Sequence, residues 1–330
     1  VSVRRLSGDG VRRACDGVRM RYAFDPELAA ALAMMAEVDI SDLAAARAAQ
    51  AAELAAQVAV TDTAGVAVSD VTTDDGVRLR TYRPEGHGGP LPAVYRVHGG
   101  GFVLGSPDAD HEANLRLCRE LPAVVVSPEY RLAPEHPFPA GLDDCYAGLC
   151  FVAEHAGRFG IDADRMAVAG DSAGACLATA TAMLARDGGG PALRFQYLDS
   201  PALDDRLTTP SARRFDDTPV WNRPSALIGW NAYLGAGVRG TAGVPALAAP
   251  SRARTGELAG LPPAYVAVME FDALRDEGID YARALLTAGV AVELHLFPGT
   301  FHGASLVRHA AVVQRATAEA VTVLRRALGR

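Results

Sequence analysis

Met166-Ala167-Val168-Ala169-Gly170-Asp171-Ser172-Ala173-Gly174, continued by the Ala- and Leu-rich run to Arg186, decides how this chain folds. Met166 to Ala169 reads as a short buried strand, and Ala173 to Arg186 as a helix. The glycines flanking Ser172 permit a turn too sharp to leave room for Cβ atoms beside it. Strand, sharp turn and helix in that order is the setting in which G-x-S-x-G lifts a serine hydroxyl to the edge of a sheet. The bare pattern is weak, with a chance occurrence on the order of 0.1 in this composition. The plain alternative is that Ser172 is an ordinary helix N-cap, and the strand, turn and helix context weighs against it.

Working outward, similar apolar runs recur, each bounded by turn residues and followed by a helical stretch: Ala93 to Val97, Ala123 to Ser127, Phe195 to Leu198, Ala264 to Met269 and Val290 to Phe297. Runs without polar alternation mark strands buried on both faces, and their alternation with helices indicates a largely parallel sheet. Val66 to Thr73 and Val77 to Arg83 instead alternate about Asp74-Asp75-Gly76, which predicts an antiparallel hairpin ahead of the parallel part. The fold class is α/β, a mostly parallel central sheet flanked by helices. Leu28, Leu32, Met35 and Leu54 recur at helical spacings between Pro26 and Gln57, predicting one or two N-terminal helices. From Asp204 to about Pro250 the alternation is interrupted by Pro, Arg, Trp221, Trp230 and a helical stretch, Pro224 to Leu234. Such an insertion, paired with helices placed before the core, is suited to forming a lid over the sheet's active edge.

Composition narrows the function classes. The 330 residues carry a net charge of −7, and the basic residues are all Arg, scattered without a cluster, so nucleic acid is not an expected partner. No apolar run reaches the ~20 residues of a bilayer span. Val1 to Gly17 is Arg-rich with no apolar stretch behind it, so no secretory signal is legible and a cytoplasmic location is expected. Cys15, Cys118, Cys145, Cys150 and Cys176 form an odd set without a C-x-x-C pair, which argues against a disulfide framework and a zinc site. Most are expected to be buried thiols.

His98-Gly99-Gly100-Gly101-Phe102 directly follows the strand Ala93 to Val97. Its chance occurrence is on the order of 0.01, so it is far more specific than the serine motif. Consecutive glycines let the backbone approach a substrate and turn N–H groups toward a developing oxyanion. Gly100 and Gly101 are the expected donors, joined by the N–H of Ala173, each typically worth ~3 kcal/mol of barrier. His98 precedes the serine in the chain and sits at a strand end, so its expected role is to hold the glycine loop in shape.

A serine hydroxyl needs a histidine to accept its proton, and the histidine needs an acid to fix its tautomer. In α/β-hydrolases the chain order is Ser, acid, His. Among the histidines after Ser172, His295 lies inside the last strand and reads as a surface or interface residue, and His309 lies in a helical stretch. His302, in Pro298-Gly299-Thr300-Phe301-His302-Gly303, lies on a loop past that strand and is the expected base. Asp272 falls immediately beyond the strand Ala264 to Met269 and is the expected acid, with Asp276 in reserve. Asp276 and Glu277 read as first-turn acids of the next helix, favoured there by its dipole.

Together these motifs resemble the bacterial hormone-sensitive-lipase-like (family IV) carboxylesterases of the α/β-hydrolase superfamily. The matching stretches are HGGGF at His98 to Phe102, EYRLAPEHPFPAGLDD at Glu129 to Asp144, GDSAG at Gly170 to Gly174, DALRDEG at Asp272 to Gly278 and FHG at Phe301 to Gly303. The family usually has Pro where this chain has Ala273. The resemblance implies a Ser172, Asp272, His302 triad, oxyanion donors at Gly100, Gly101 and Ala173, and a supporting carboxylate at Glu129 near the site. It implies an N-terminal helical part of a cap at residues 1–64, a hydrolase core at 65–203 and 241–330, and a cap insertion at 204–240. Neither metal nor cofactor is implied. The implied substrate is a small ester or acylglycerol with a short to medium acyl chain, and relatives dimerise through the edge strand 290–297. An amidase or aryl-amide deacylase would use the same triad. Plant gibberellin receptors keep this fold but lose the catalytic histidine, whereas His302 is present here.

Overall fold

The structure, a computed structural model, describes residues 21–35 and 39–329. Cys15 and the Arg-rich opening segment lie outside the described residues. Strands β1 (Val66–Thr72), β2 (Arg78–Pro84), β3 (Leu91–Val97), β4 (Val124–Glu129), β5 (Ile161–Asp171), β6 (Leu193–Asp199), β7 (Ala264–Phe271) and β8 (Val292–Phe301) form one eight-stranded sheet, in the order β1-β2-β4-β3-β5-β6-β7-β8. β2 runs antiparallel to both β1 and β4, and all later pairings are parallel. Every strand expected from the apolar runs is present. β5 and β8 extend beyond their apolar runs across register shifts, with Leu91 paired to Ile161 and Phe271 paired to Phe301.

The helices of five or more residues are α1 (Pro26–Leu32), α2 (Leu43–Val60), α3 (His111–Glu120), α4 (Ala140–Glu154), α5 (Ala173–Asp187), α6 (Pro210–Arg214), α7 (Arg223–Leu234), α8 (Arg275–Thr287) and α9 (Ala311–Leu328) among the described residues. α3 and α9 cover one face of the sheet, around Leu115, Ala167, Met269, Phe297 and Leu324. α4, α5 and α8 cover the other, around Leu149, Val168, Leu177, Leu198 and Tyr281. Ala167 and Ala169 thus face one layer while Met166 and Val168 face the other, which is why β5 reads as an unbroken apolar run.

After β3 the chain lays β4 on one side and then β5 on the other, so the crevice at their C-terminal ends is a topological switch point. Val97 pairs with Gly170, which sets the His98 loop and the Ser172 turn side by side. The segment between β6 and β7 closes over this edge. Phe215, Trp221 and Trp230 are all buried within it. Its ends are tied by Asp205, fully buried, which accepts from Arg252 Nε (2.5 Å) and Nη2 (2.8 Å) and from the Gly240 N–H (2.6 Å).

His309 lies in the turn before α9 rather than in a helix, since the helix begins only at Ala311. His295 is half-buried against α9: its Nδ1 is 2.7 Å from Glu319 Oε1 and its ring stacks on Phe297 at 4.1 Å. The apolar surface on that edge comes instead from its neighbours Leu294 and Leu296, 43% and 39% exposed. Cys118, Cys145 and Cys176 are buried free thiols, and Cys150 is partly buried. No described helix is long and apolar enough to cross a membrane.

Removing one member of a buried ion pair strands the other charge. Arg252→Met is therefore expected to cost roughly 3–5 kcal/mol, read as a lower urea midpoint, with Asp205→Asn/Arg252→Met recovering much of it.

Candidate active site

Ser172 sits at the turn between β5 and α5 with φ 55 and ψ −121, a conformation a non-glycine residue adopts only when its surroundings impose it. The surroundings do so by close approach. A Cβ on Gly170 would lie 2.4 Å from the Gly174 carbonyl oxygen, and one on Gly174 would lie 2.2 Å from the Val97 carbonyl oxygen. The Ser172 N–H donates to the Asp199 carbonyl at 2.9 Å, tying the turn to the end of β6. Ala173 opens α5, so its N–H has no partner within the helix.

The glycine loop lies opposite. Gly100, Gly101 and Phe102 all have positive φ (124, 61 and 68). Among the described residues neither the Gly100 nor the Gly101 N–H is used in a protein hydrogen bond, whereas the Gly100 carbonyl accepts from Leu104 at 2.8 Å. His98 is fully buried, its Nδ1–H donates to the Gly99 carbonyl at 2.8 Å, and its ring stacks on Tyr130 at 4.2 Å. Tyr130 in turn donates its hydroxyl to the His98 carbonyl at 3.0 Å. Burial, against the Gly99 hydrogen bond, lowers the His98 pKa and keeps the ring neutral.

β7 and β8 bring in the remaining pair. Phe271 pairs with Phe301, so the next residues on each chain, Asp272 and His302, emerge side by side. His302 Nδ1–H donates to Asp272 Oδ2 at 2.8 Å, leaving Nε2 as the acceptor. Asp272 is fully buried, and its other oxygen accepts the Leu274 N–H at 2.9 Å. Burial alone would lower the His302 pKa, but the charge and hydrogen bond of Asp272, with Asp199 and Asp171 behind it, raise it above the ordinary 6.5. The reserve acid Asp276 is engaged elsewhere: it accepts the Ser211 N–H at 2.7 Å and pairs with Arg275. Glu277 does lie in the first turn of α8 but is not a surface acid. It is 1% exposed and accepts the N–H groups of Leu203 (2.6 Å) and Asp204 (3.2 Å), and burial pushes its carboxyl well above the usual range.

Ser172 and Ala173, Asp272, His302, and the loop His98 to Gly101 all follow the C-terminal ends of parallel strands (β5, β7, β8 and β3), so they gather at one edge of the sheet. Glu129 is an exposed residue at the end of β4 whose hydrogen bond goes to Arg78 on β2, and its charge bears on His98. Sequence reasoning missed the groups that hold the loop from above. Arg47 of α2 donates to the carbonyls of Val103 (2.8 Å) and Ala133 (2.6 Å), and the Gln50 side chain accepts the Gly105 N–H at 2.9 Å. An Arg and a Gln on an Ala-rich helix carry no signal that separates them from solvated residues. It also missed Asp171, which shares a face of β5 with Ala169, the side covered by α3 and α9; burial and the Asp110 charge, against Arg96, push its pKa to about 7. No cluster of described residues has the make-up of a metal site.

This sheet, with Ser172 held at the sharp turn after its central strand, is that of an α/β hydrolase fold. A family model described as alpha/beta hydrolase fold matches residues 94–306, and the chain belongs to that family, in its hormone-sensitive-lipase-like branch. Carboxylesterase NlhH of Mycobacterium tuberculosis is 42% identical over 258 residues, 76% of this chain and 79% of that protein. Among solved structures, a bacterial heroin esterase superposes with a TM-score of 0.90 at 47% identity, covering 93% of this chain and 99% of its own. Esterase LipW from Mycobacterium marinum superposes with a TM-score of 0.85 at 39% identity, covering 93% and 97% respectively.

Trp221 bounds the crevice from the insertion. A Cβ on Gly101 would fall 2.2 Å from its indole ring, whose centroid is 6.0 Å from that of His302. Gly101→Ala is expected to lose roughly 1–3 kcal/mol of stability through overpacking. Adding Trp221→Ala should return part of that loss, and a double-mutant cycle in urea measures the coupling.

Proposed function

We propose that the protein is a serine carboxylesterase acting on small esters with short to medium acyl chains. The single observation that carries this reading is the 2.8 Å hydrogen bond from His302 Nδ1 to the buried Asp272, one residue beyond paired strand ends and at the crevice where Ser172 is held in its strained turn. The identity to proteins named as esterases supports it.

Ser172 Oγ attacks the ester carbonyl carbon as its proton passes to His302 Nε2. The tetrahedral oxyanion is met by the N–H groups of Gly100, Gly101 and Ala173, preorganised by the positive-φ loop and the helix start. Collapse breaks the bond to the alcohol, which leaves with the proton from His302, and an acyl-enzyme remains. Water, deprotonated by His302, then releases the acid and regenerates Ser172. Asp272 holds the tautomer throughout and stabilises the imidazolium. Residues 21–35, 39–64 and 204–240 act as a cap, with Trp221 restricting room beside the oxyanion loop, which favours shorter acyl groups. A pair of copies meeting along β8, where Leu294 and Leu296 are exposed, completes the proposal.

The base must be neutral to act. Since His302 is raised above 6.5, activity should fall as pH drops through a midpoint above 6.5, and rates unchanged down to about pH 5 would contradict the assignment. Asp272→Asn preserves the shape but favours the wrong tautomer, so kcat should fall about ten-thousandfold. Comparing p-nitrophenyl esters with p-nitroanilides separates the esterase from an amidase, and the account expects the esters to be preferred.

A further inference from the structure

Behind the Ser172 turn, on the opposite face of the sheet, a cavity of about 250 Å³ lies between α3, α9 and the C-terminal ends of β3, β5 and β6. The loop that carries His302 contributes Thr300, Ala304 and Ser305 to its wall, while Ser172 and His302 do not line it. Its sides are apolar, built from residues such as Leu117, Phe297, Val321 and Leu324. Its mouth is flanked by Glu112 and Arg308, which pair across from α3 to the turn before α9.

The floor is polar and unbalanced in charge. Arg96 is the cation there, facing Asp110 at 3.5 Å and Asp171 at 3.7 Å, with Asp199 beside them on the neighbouring strand. Asp171 and Asp199 line the cavity themselves. One guanidinium serves three carboxyl groups, and the contacts are long: Asp110 Oδ2 and Asp171 Oδ1 are buried without a hydrogen-bond partner. Among the described residues no hydrogen bond reaches the Asp171 carboxylate, and 35% of its side chain is accessible although it lies under α3 and α9. A carboxylic acid ligand would add a fourth negative charge to this floor. A ligand with N–H donors and a positive charge would complete it.

We propose that this cavity is a second binding site, taking a small amphiphilic amine whose ammonium group sits on Asp171 and Asp199 and whose apolar body lies between Leu117, Phe297 and Val321. The size suits such a molecule. A cavity of about 150 Å³ admits a benzene ring, so this one has room for a ring and a short alkylammonium arm. The raised pKa values of Asp171, about 7, and of Asp199 arise first from burial, and an ammonium in place of the proton meets the same need. Binding here does not depend on the ester-hydrolase assignment, because the cavity excludes the nucleophile and its base.

Isothermal titration of 2-phenylethylamine at about pH 8, where the amine is still mostly protonated, tests the site. The protein is used in full, with Ser172 carrying a phosphonyl label so that the crevice cannot contribute. The expected result is binding of one amine per chain, with 2-phenylethanol and 3-phenylpropanoate at least about tenfold weaker. Ala316→Trp, projecting from α9 into the cavity, should abolish binding, and Ala320→Leu is the smaller alternative should the first fail to fold. Equal affinity for the alcohol, or amine binding unchanged by either substitution, would overturn the proposal. If Ser172 resists labelling, the same titration on unlabelled protein against the α9 variants still decides the cavity, and only the ester-hydrolase reading fails.

Discussion

The contact on which the rest depends is the packing of the β5–α5 turn onto the end of β3. Gly174 sits so close to the Val97 and His98 carbonyls that any side chain there would collide with backbone. That approach, with Val97 paired to Gly170, forces the strained backbone at Ser172 and brings the glycine loop alongside it. The strain is stored locally and sustained by a largely apolar two-layer core, because β3 and β5 lie at the middle of an eight-stranded sheet. A rigid strand end is also what fixes Asp272 and His302, one residue past the Phe271 and Phe301 pair.

Much of this was legible in the sequence, for physical reasons. Strands buried on both faces must be apolar throughout, so Met166 to Ala169 and its counterparts announced themselves. The glycines at the two loops were legible because close backbone approach admits nothing larger, and His302 and Asp272 followed from their position just beyond strand ends. The strand termini were not legible in the same way. Ile161 pairs with Leu91, but a register shift leaves residues 162–165 unpaired with β3 before the ladder resumes at Met166, and no local pattern marks such a shift.

What stayed hidden depends on contacts between residues far apart in the chain. Arg47 and Gln50 reach the glycine loop from α2, and nothing local distinguishes them from surface residues. Glu277 looked like a dipole-favoured surface acid, but two backbone N–H groups from the Leu203 turn draw it into the interior. Glu129 pairs with Arg78, because strand register across β2 and β4 places those two residues opposite each other, a long-range contact that nothing local announces. Asp171 read only as the variable position of its motif; the period of a strand turns it to the far face, where it joins Arg96, Asp110 and Asp199. The carboxylates on that face bear on His302 through the sheet edge and help to raise its proton affinity.

The central claim is that Ser172 carries the acyl group. Rapid mixing with p-nitrophenyl acetate followed by acid quench and peptide mass mapping tests it most directly. The account predicts a burst of p-nitrophenol of about one equivalent per chain and an acetyl group on the peptide containing Ser172. An acetyl group on another residue, or steady turnover that persists undiminished in Ser172→Ala, would contradict it.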